Sequence, residues 1–142
     1  MSGLILKLRP REQLMINGVV VENGDRKTRL RIRSEDARVL RLRDAIRPED
    51  ATTPARRALY AAQCAVAGEL DDGDARAILE KALAALAVDF PDPPESAALE
   101  KASFHLRHGQ FYLVMRQLRE VAASEALKRG TAPVSDESSG GA

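Results

Sequence analysis

The side chains best suited to catalysis or metal binding are few in this chain, and their spacing does not suit either. His105 and His108 lie three apart on a predicted helix. That places two imidazoles near one another, but no Cys or Asp/Glu cluster nearby has the spacing to complete a ligand set, so two polar residues at a helix end is the simpler expectation. Cys64 sits between Gln63 and Ala65 inside an Ala-rich helical stretch, where a small buried residue is expected rather than a reactive thiol. As the single cysteine it excludes an intramolecular disulfide and fits a reducing cytoplasm. The run Asp71-Asp72-Gly73-Asp74 lacks the downstream Glu of a calcium loop and reads as a turn and helix cap. Neither a Gly-rich phosphate loop nor a Ser/His/Asp nucleophile signature is present. An enzyme is therefore the least expected class, and no cofactor or metal is expected.

Arginine chemistry is the stronger signal. Lys27, Arg29, Arg31, Arg33, Arg38, Arg41, Arg43 and Arg47 crowd into residues 27–47, with Glu35, Asp36 and Asp44 as the acids among them. A guanidinium is a planar fork matched to phosphate and to base edges. Charged strands also serve simply to solvate a sheet and guard its edges, but this density favours nucleic acid. Net charge is only +1, yet residues 1–50 hold 12 Lys/Arg against 8 Asp/Glu, a balance of +4, and residues 51–142 hold 10 against 13, a balance of −3. Two parts with different partners follow from that asymmetry.

The elements that must position these groups change character near Pro54. Leu4–Leu8, Leu14–Ile16, Val19–Glu22, Arg26–Arg33 and Arg38–Arg43 read as strands. Asn17-Gly18 reads as a turn, and Asn23-Gly24-Asp25 as the turn of a hairpin between the third and fourth strands. Period two puts Leu30 and Ile32 on one face and Lys27, Arg29, Arg31 and Arg33 on the other. On the last strand Val39, Arg41 and Arg43 share a face opposite Leu40 and Leu42. Residues 47–53 read as a linker. Helices are then expected over Pro54–Leu70, from Asp72 or Asp74 to about Asp89, from Glu95 to about His108 and from Gln110 to Lys128. Phe104, Phe111 and Tyr112 are expected in the helical core. The fold class is α+β, a small N-terminal antiparallel β-module (1–50) followed by a C-terminal helical bundle (51–129), with 130–142 a disordered tail. So small a β-module makes a marginal core alone, so it is expected to pack on the helices, to dimerise, or both. No uncharged apolar run is long enough to span a membrane, and Lys7, Arg9 and Arg11 interrupt any signal-peptide core.

Taken whole, the sequence resembles the flagellum biosynthesis repressor family, FlbT. The resemblance is carried by LILKLRPREQLMINGVVVEN at 4–23, the arginine-rich segment after it, RRALYAAQCAV at 56–66 and GQFYLVMRQLREV at 109–121. It implies a cytoplasmic post-transcriptional regulator that associates with the 5′ untranslated region of flagellin mRNA and promotes its degradation; some relatives are regarded as activators. Residues 4–46 are also similar to the carbon storage regulator family, small β-rich dimers that bind messenger leaders. LIL at 4–6, Arg9, Glu12, LMI at 14–16, Arg31-Ile32 and Arg43 carry that likeness, while Pro10-Arg11, a shorter hairpin and Leu8 depart from it. In that family the first and last strands lie together as the RNA face, which implies Leu6, Lys7 and Arg43 as contacts and a homodimer through the β-module.

The RNA-binding candidates are therefore Leu6, Lys7, Arg9, Arg29, Arg31, Arg33, Arg41 and Arg43. On the fourth helix Phe111, Leu113, Val114, Met115, Leu118 and Val121 form a set too broad for one narrow stripe. Either all fill the bundle, or part of the set, with Phe111, Tyr112, Met115, Arg116 and Arg119, forms a groove for flagellin or a flagellar co-regulator. An adaptor or chaperone-like protein acting through the bundle is the alternative to an RNA-binding regulator.

Overall fold

A computed structural model describes residues 3–35 and 37–129 of the chain. Five short strands precede four helices: β1 (Leu4–Leu8), β2 (Gln13–Ile16), β3 (Val19–Glu22), β4 (Thr28–Ile32), β5 (Val39–Arg41), α1 (Pro54–Ala67), α2 (Asp72–Asp89), α3 (Glu95–Arg107) and α4 (Phe111–Arg129). The α+β class expected from sequence is the class observed. The segment 130–142, expected to be disordered, lies outside the described residues. None of the described helices is long and apolar enough to cross a membrane.

The strands form two small antiparallel sheets, a β1–β4 ribbon and a three-stranded sheet in the order β3-β2-β5. Asn17 and Gly18, both at positive φ (52° and 83°), turn β2 into β3, as a two-residue hairpin loop between right-twisted strands requires. The hairpin expected at Asn23-Gly24 does not form, because β3 pairs with β2 and β4 pairs with β1. The Asn23 side-chain amide is spent on the Arg9 and Arg26 carbonyls (2.8 and 2.9 Å), and the Arg11 amide donates to the Gly24 carbonyl. Residues 23–27 are thereby tied down as a crossover between sheets. The fourth strand is also shorter than expected. The last ends at Arg41, where Leu42–Asp44 turns into a 3₁₀-helix and takes Arg43 off the strand face.

Two apolar clusters set the layers. Leu6, Leu8, Leu14 and Val39 are buried together, with Leu4, Ile16, Leu30 and Ile32 packed on them, so the ribbon and the three-stranded sheet face each other. On the far side of that sheet Leu40 and Ile46 join the core of the helices, with Met15 against it. Val39 and Leu40 are both buried although they alternate, because both faces of β5 are covered. The β-module is thus docked on the bundle, and two polar clamps fix it there. Gln63, itself buried, donates to the Ile46 carbonyl (2.9 Å) and accepts from its amide (2.8 Å). Arg38 donates to the Ala65 carbonyl near the end of α1 (2.7 Å) and pairs with Asp72 at the start of α2.

Local features start α1 and α2 and end α1 and α3. Thr53 caps α1 by accepting from the Arg56 amide, Pro54 takes the first position, and Gly68 ends the helix at φ 81°, short of the expected Leu70. Asp71 caps α2 by accepting from the Gly73 and Asp74 amides (2.9 and 3.3 Å), which is the role its acidic run suggested. Gly109, at φ 68°, separates α3 from α4.

Candidate nucleic-acid interface

The antiparallel register of the ribbon sorts its side chains. Leu6 lies opposite Leu30, Lys7 opposite Arg29 and Ile5 opposite Arg31. Leucines and Ile32 turn toward the sheet below, while Ile5, Lys7, Arg29 and Arg31 form the outer, exposed face. Across 4–9 and 26–33 there are seven cations, Lys7, Arg9, Arg26, Lys27, Arg29, Arg31 and Arg33, and no acid. All seven are exposed, and none forms an ion pair with a described residue. Like charges directly opposite one another destabilise a strand pair, so Lys7 against Arg29 is a cost to the fold.

The other sequence-derived candidates fall elsewhere. Leu6 is buried on the inner face of the ribbon. Arg41 and Arg43 converge on Glu12, a buried carboxyl in the β1–β2 connection: Arg41 reaches it through Nε and Nη2 (2.8 and 3.0 Å) and Arg43 through Nε (3.3 Å). The Arg9 amide donates to the same carboxyl (2.8 Å). Burial pushes the Glu12 carboxyl up, but the hydrogen bonds from Arg41 and the Arg9 amide, with both guanidinium charges, outweigh it and hold the group below the ordinary carboxylate value. Arg41 also donates to the Lys7 carbonyl. That bond and the packing of Val39 with Leu6 and Leu8, not strand pairing, join β5 to β1; the arrangement with first and last strands side by side is not formed. Arg41 and Arg43 thus work inside the β-module, and the outer ribbon is where the cations meet no acid among the described residues. Sequence reading passed over Glu12 as a clamp and Arg26 as part of the cationic face. The acid-free runs flanking the ribbon were the available signal.

The partner set on α4 also divides. Phe111 and Met115 are buried in the bundle. Tyr112, Met115, Arg116 and Arg119 line a groove of about 430 Å³ between α4 and β1, shared with Leu4, Ile5 and Arg41. Arg119 donates across to the Asp44 carbonyl (2.9 Å). Phe104, expected in the core, is 50% exposed. The buried stripe of α3 runs through Ala98, Leu99, Ala102 and Leu106 and leaves residue 104 on the outer side. Its ring lies 4.5 Å from that of His108 and 5.7 Å from that of His105, with the Arg107 guanidinium 5.8 Å from its centroid. Among the described residues no three His, Cys, Asp or Glu side chains are grouped to hold a metal. Burial pushes the Cys64 thiol up, against reactivity, although a hydrogen bond with Tyr60 opposes it.

Comparison with known proteins settles the family. The family model described as "Flagellar protein FlbT" matches residues 4–127.

The chain belongs to the FlbT family.

Relatives include the probable flagellum biosynthesis repressor protein FlbT of Brucella ovis, 30% identical over 133 residues, covering 94% of this chain and 86% of the relative. The probable flagellum biosynthesis repressor protein FlbT 1 of Bradyrhizobium diazoefficiens is 26% identical over 131 residues, 90% and 86% of the two chains. The probable flagellum biosynthesis repressor protein FlbT of Caulobacter sp. (strain K31) matches more strongly but locally, 46% over 57 residues. That match spans 40% of this chain and 43% of the relative's length. No solved structure matches the chain. The FlbT relatives are named as repressors of flagellum biosynthesis, and a regulatory role is what membership of the family supports.

Proposed function

We propose that this FlbT chain represses flagellin synthesis after transcription, by binding the 5′ untranslated region of flagellin mRNA on the outer face of the β1–β4 ribbon and promoting the messenger's degradation. The observation that carries the reading is the row of exposed cations without ion-pair partners among the described residues, Lys7 and Arg29 opposite each other and Arg31 opposite Ile5. Phosphates satisfy such a row, and affinity comes largely from them. RNA loops expose base edges and stackable faces, so a ribbon reads them without entering a groove. Decay then follows from occluding the ribosome or recruiting a nuclease, with no catalysis by the chain itself.

The test is fluorescence anisotropy with a flagellin leader against an unrelated RNA of equal length. The leader is expected to bind more tightly, with log affinity falling by roughly 0.7 per phosphate neutralised for each tenfold rise in salt. Lys7→Ala, Arg29→Ala and Arg31→Ala together should flatten that slope by roughly 2, the sum of three lost contacts. Equal affinity for both RNAs, or an unchanged slope in the folded triple variant, would remove the ribbon from RNA binding.

A second reading, a flagellar adaptor acting through the bundle, is favoured by Phe104, an exposed aromatic between two histidines and an arginine, a composition common at interface hot spots. Phe104→Ala is expected to weaken binding to purified flagellin in calorimetry while leaving RNA affinity unchanged. Unaltered flagellin binding, or none in the parent protein, argues against it.

A further inference from the structure

We propose that β3 is an interface between two copies of this chain, pairing antiparallel with β3 of the second copy across a two-fold axis at Val21. β3 is an edge strand, hydrogen-bonded to β2 on one side only. Its three valines are unusually bare: Val19 is 62%, Val20 54% and Val21 37% exposed. Val19 and Val21 lie opposite Ile16 and Leu14 and so share the face that the ribbon covers farther along. The ribbon is only two strands wide and leaves them uncovered. Natural sheets blunt such edges with charged side chains, especially Lys, with Pro or with a bulge; in Val19-Val20-Val21-Glu22 the one charged residue is Glu22, at the end of the strand, and there is no Lys, Arg or Pro.

The ladder fixes which backbone groups are free. A two-residue turn makes Ile16–Val19 a hydrogen-bonded pair, and alternation makes Leu14–Val21 the next. The Asn23 amide donating to the Glu12 carbonyl continues the same parity. The N–H and C=O of Val20 and Glu22 therefore point away from β2. Pairing about Val21 sets Val20 against Glu22 of the second copy and Glu22 against its Val20, which satisfies those groups with four hydrogen bonds. Val21 meets Val21 on the axis, and Gly18 falls opposite Gly24 of the second copy, so no side chain obstructs the strand ends. Glu22 brings no uncompensated charge, being held by Arg11 (3.4 Å) and Gln13 (3.1 Å).

The remaining edges are unsuited to the same pairing. β4 would oppose Arg29 and Arg31 to their own copies, the β1 edge gives its Lys7 carbonyl to Arg41, and β5 abuts α1. A second copy is thus the occupant that β3 matches without a complementary sequence from elsewhere. Four residues bury well below the roughly 1,000 Å² of a permanent interface, so the dimer is weak and reversible. It places two cationic ribbons in one particle, able to hold two sites on one messenger; that consequence rests on the RNA reading, whereas the dimer does not.

Sedimentation equilibrium of the RNA-free chain, from micromolar to near-millimolar concentration, tests it. The parent protein should show a monomer–dimer equilibrium. Val21→Lys and Val21→Glu should each weaken association by roughly tenfold, since like charges meet on the axis. Mixed in equal amounts the two variants should associate again, Lys against Glu. Val88→Lys, at an exposed site on α2, should leave dimerisation unchanged. A parent that stays monomeric throughout overturns the proposal and leaves the edge to some other partner. So does a Val21→Lys variant, folded by circular dichroism, that dimerises like the parent, or a mixture that associates no better than either variant alone. Because no RNA is present, none of these outcomes bears on the ribbon's role.

Discussion

Glu12→Ala is expected to cost about 3 kcal/mol of stability, the low end for removing one partner from a buried ion pair because both arginines keep some solvent, read as a fall in the urea midpoint at unchanged slope. The carboxyl is the hub of the β-module. It holds Arg41 and Arg43, accepts from the Arg9 amide, and by fixing Arg41 keeps that guanidinium on the Lys7 carbonyl. Alanine leaves the Arg41 guanidinium without its carboxylate partner and Arg43 with Asp44 alone, at 4.0 Å. The same group sets an acid limb. Its carboxyl titrates lower in the folded chain than in the unfolded one, so its contribution is complete above the ordinary value of about 4.3. It is lost as the pH falls through the folded value. Glu12→Ala should therefore show a flatter decline in stability below about pH 4 than the parent. An equally steep acid limb in the variant would mean that other carboxylates carry it.

That hub also shows what could and could not be read from sequence. Elements and their capping were legible because their causes are local. Thr53-Pro54 starts α1, the acidic run at 71–74 starts α2, Gly109 separates α3 from α4, and Leu30 and Ile32 alternate with Arg29 and Arg31, whereas the stop of α1 at Gly68 was passed over for Leu70. Strand pairing was not legible where two Asn-Gly turns competed. Asn17-Gly18 makes the hairpin, while the Asn23 side chain is captured by carbonyls at Arg9 and Arg26, a contact that local pattern does not encode. For the cationic site the difficulty was similar. Arg29, Arg31, Arg41 and Arg43 look alike in sequence. Only the fold separates the two that meet no acid among the described residues from the two that close on Glu12. Phe104 was misplaced by residue type, since an aromatic is expected inside, although the α3 stripe through Ala98, Ala102 and Leu106 excludes it.

The junction of bundle and linker carries the last expectation. Glu125 lies on α4, 1% exposed, and its carboxyl accepts from the Thr53 hydroxyl and the Ala55 amide (3.2 Å) at the start of α1. The first amides of a helix have no intrahelical acceptor. Thr53 meets one of them, accepting from Arg56 (3.3 Å) while donating to Glu125. The cap of α1 is thus half local and half supplied by α4. Thr53→Ala removes the local half and is expected to cost about 1 kcal/mol. Glu125→Ala strips the acceptor from a buried hydroxyl and a buried amide and leaves a void, a loss of about 3 kcal/mol. The two changes act on one network, so the double variant should lose less than the sum, by about 1 kcal/mol in a cycle of urea titrations. Additive losses would show that Thr53 and Glu125 stabilise α1 independently. RNA affinity of either variant, measured where it remains folded, should match the parent, since the cap lies in the bundle and the cations stand on the ribbon. A selective loss of RNA binding in folded Glu125→Ala would instead tie the helical junction to the site.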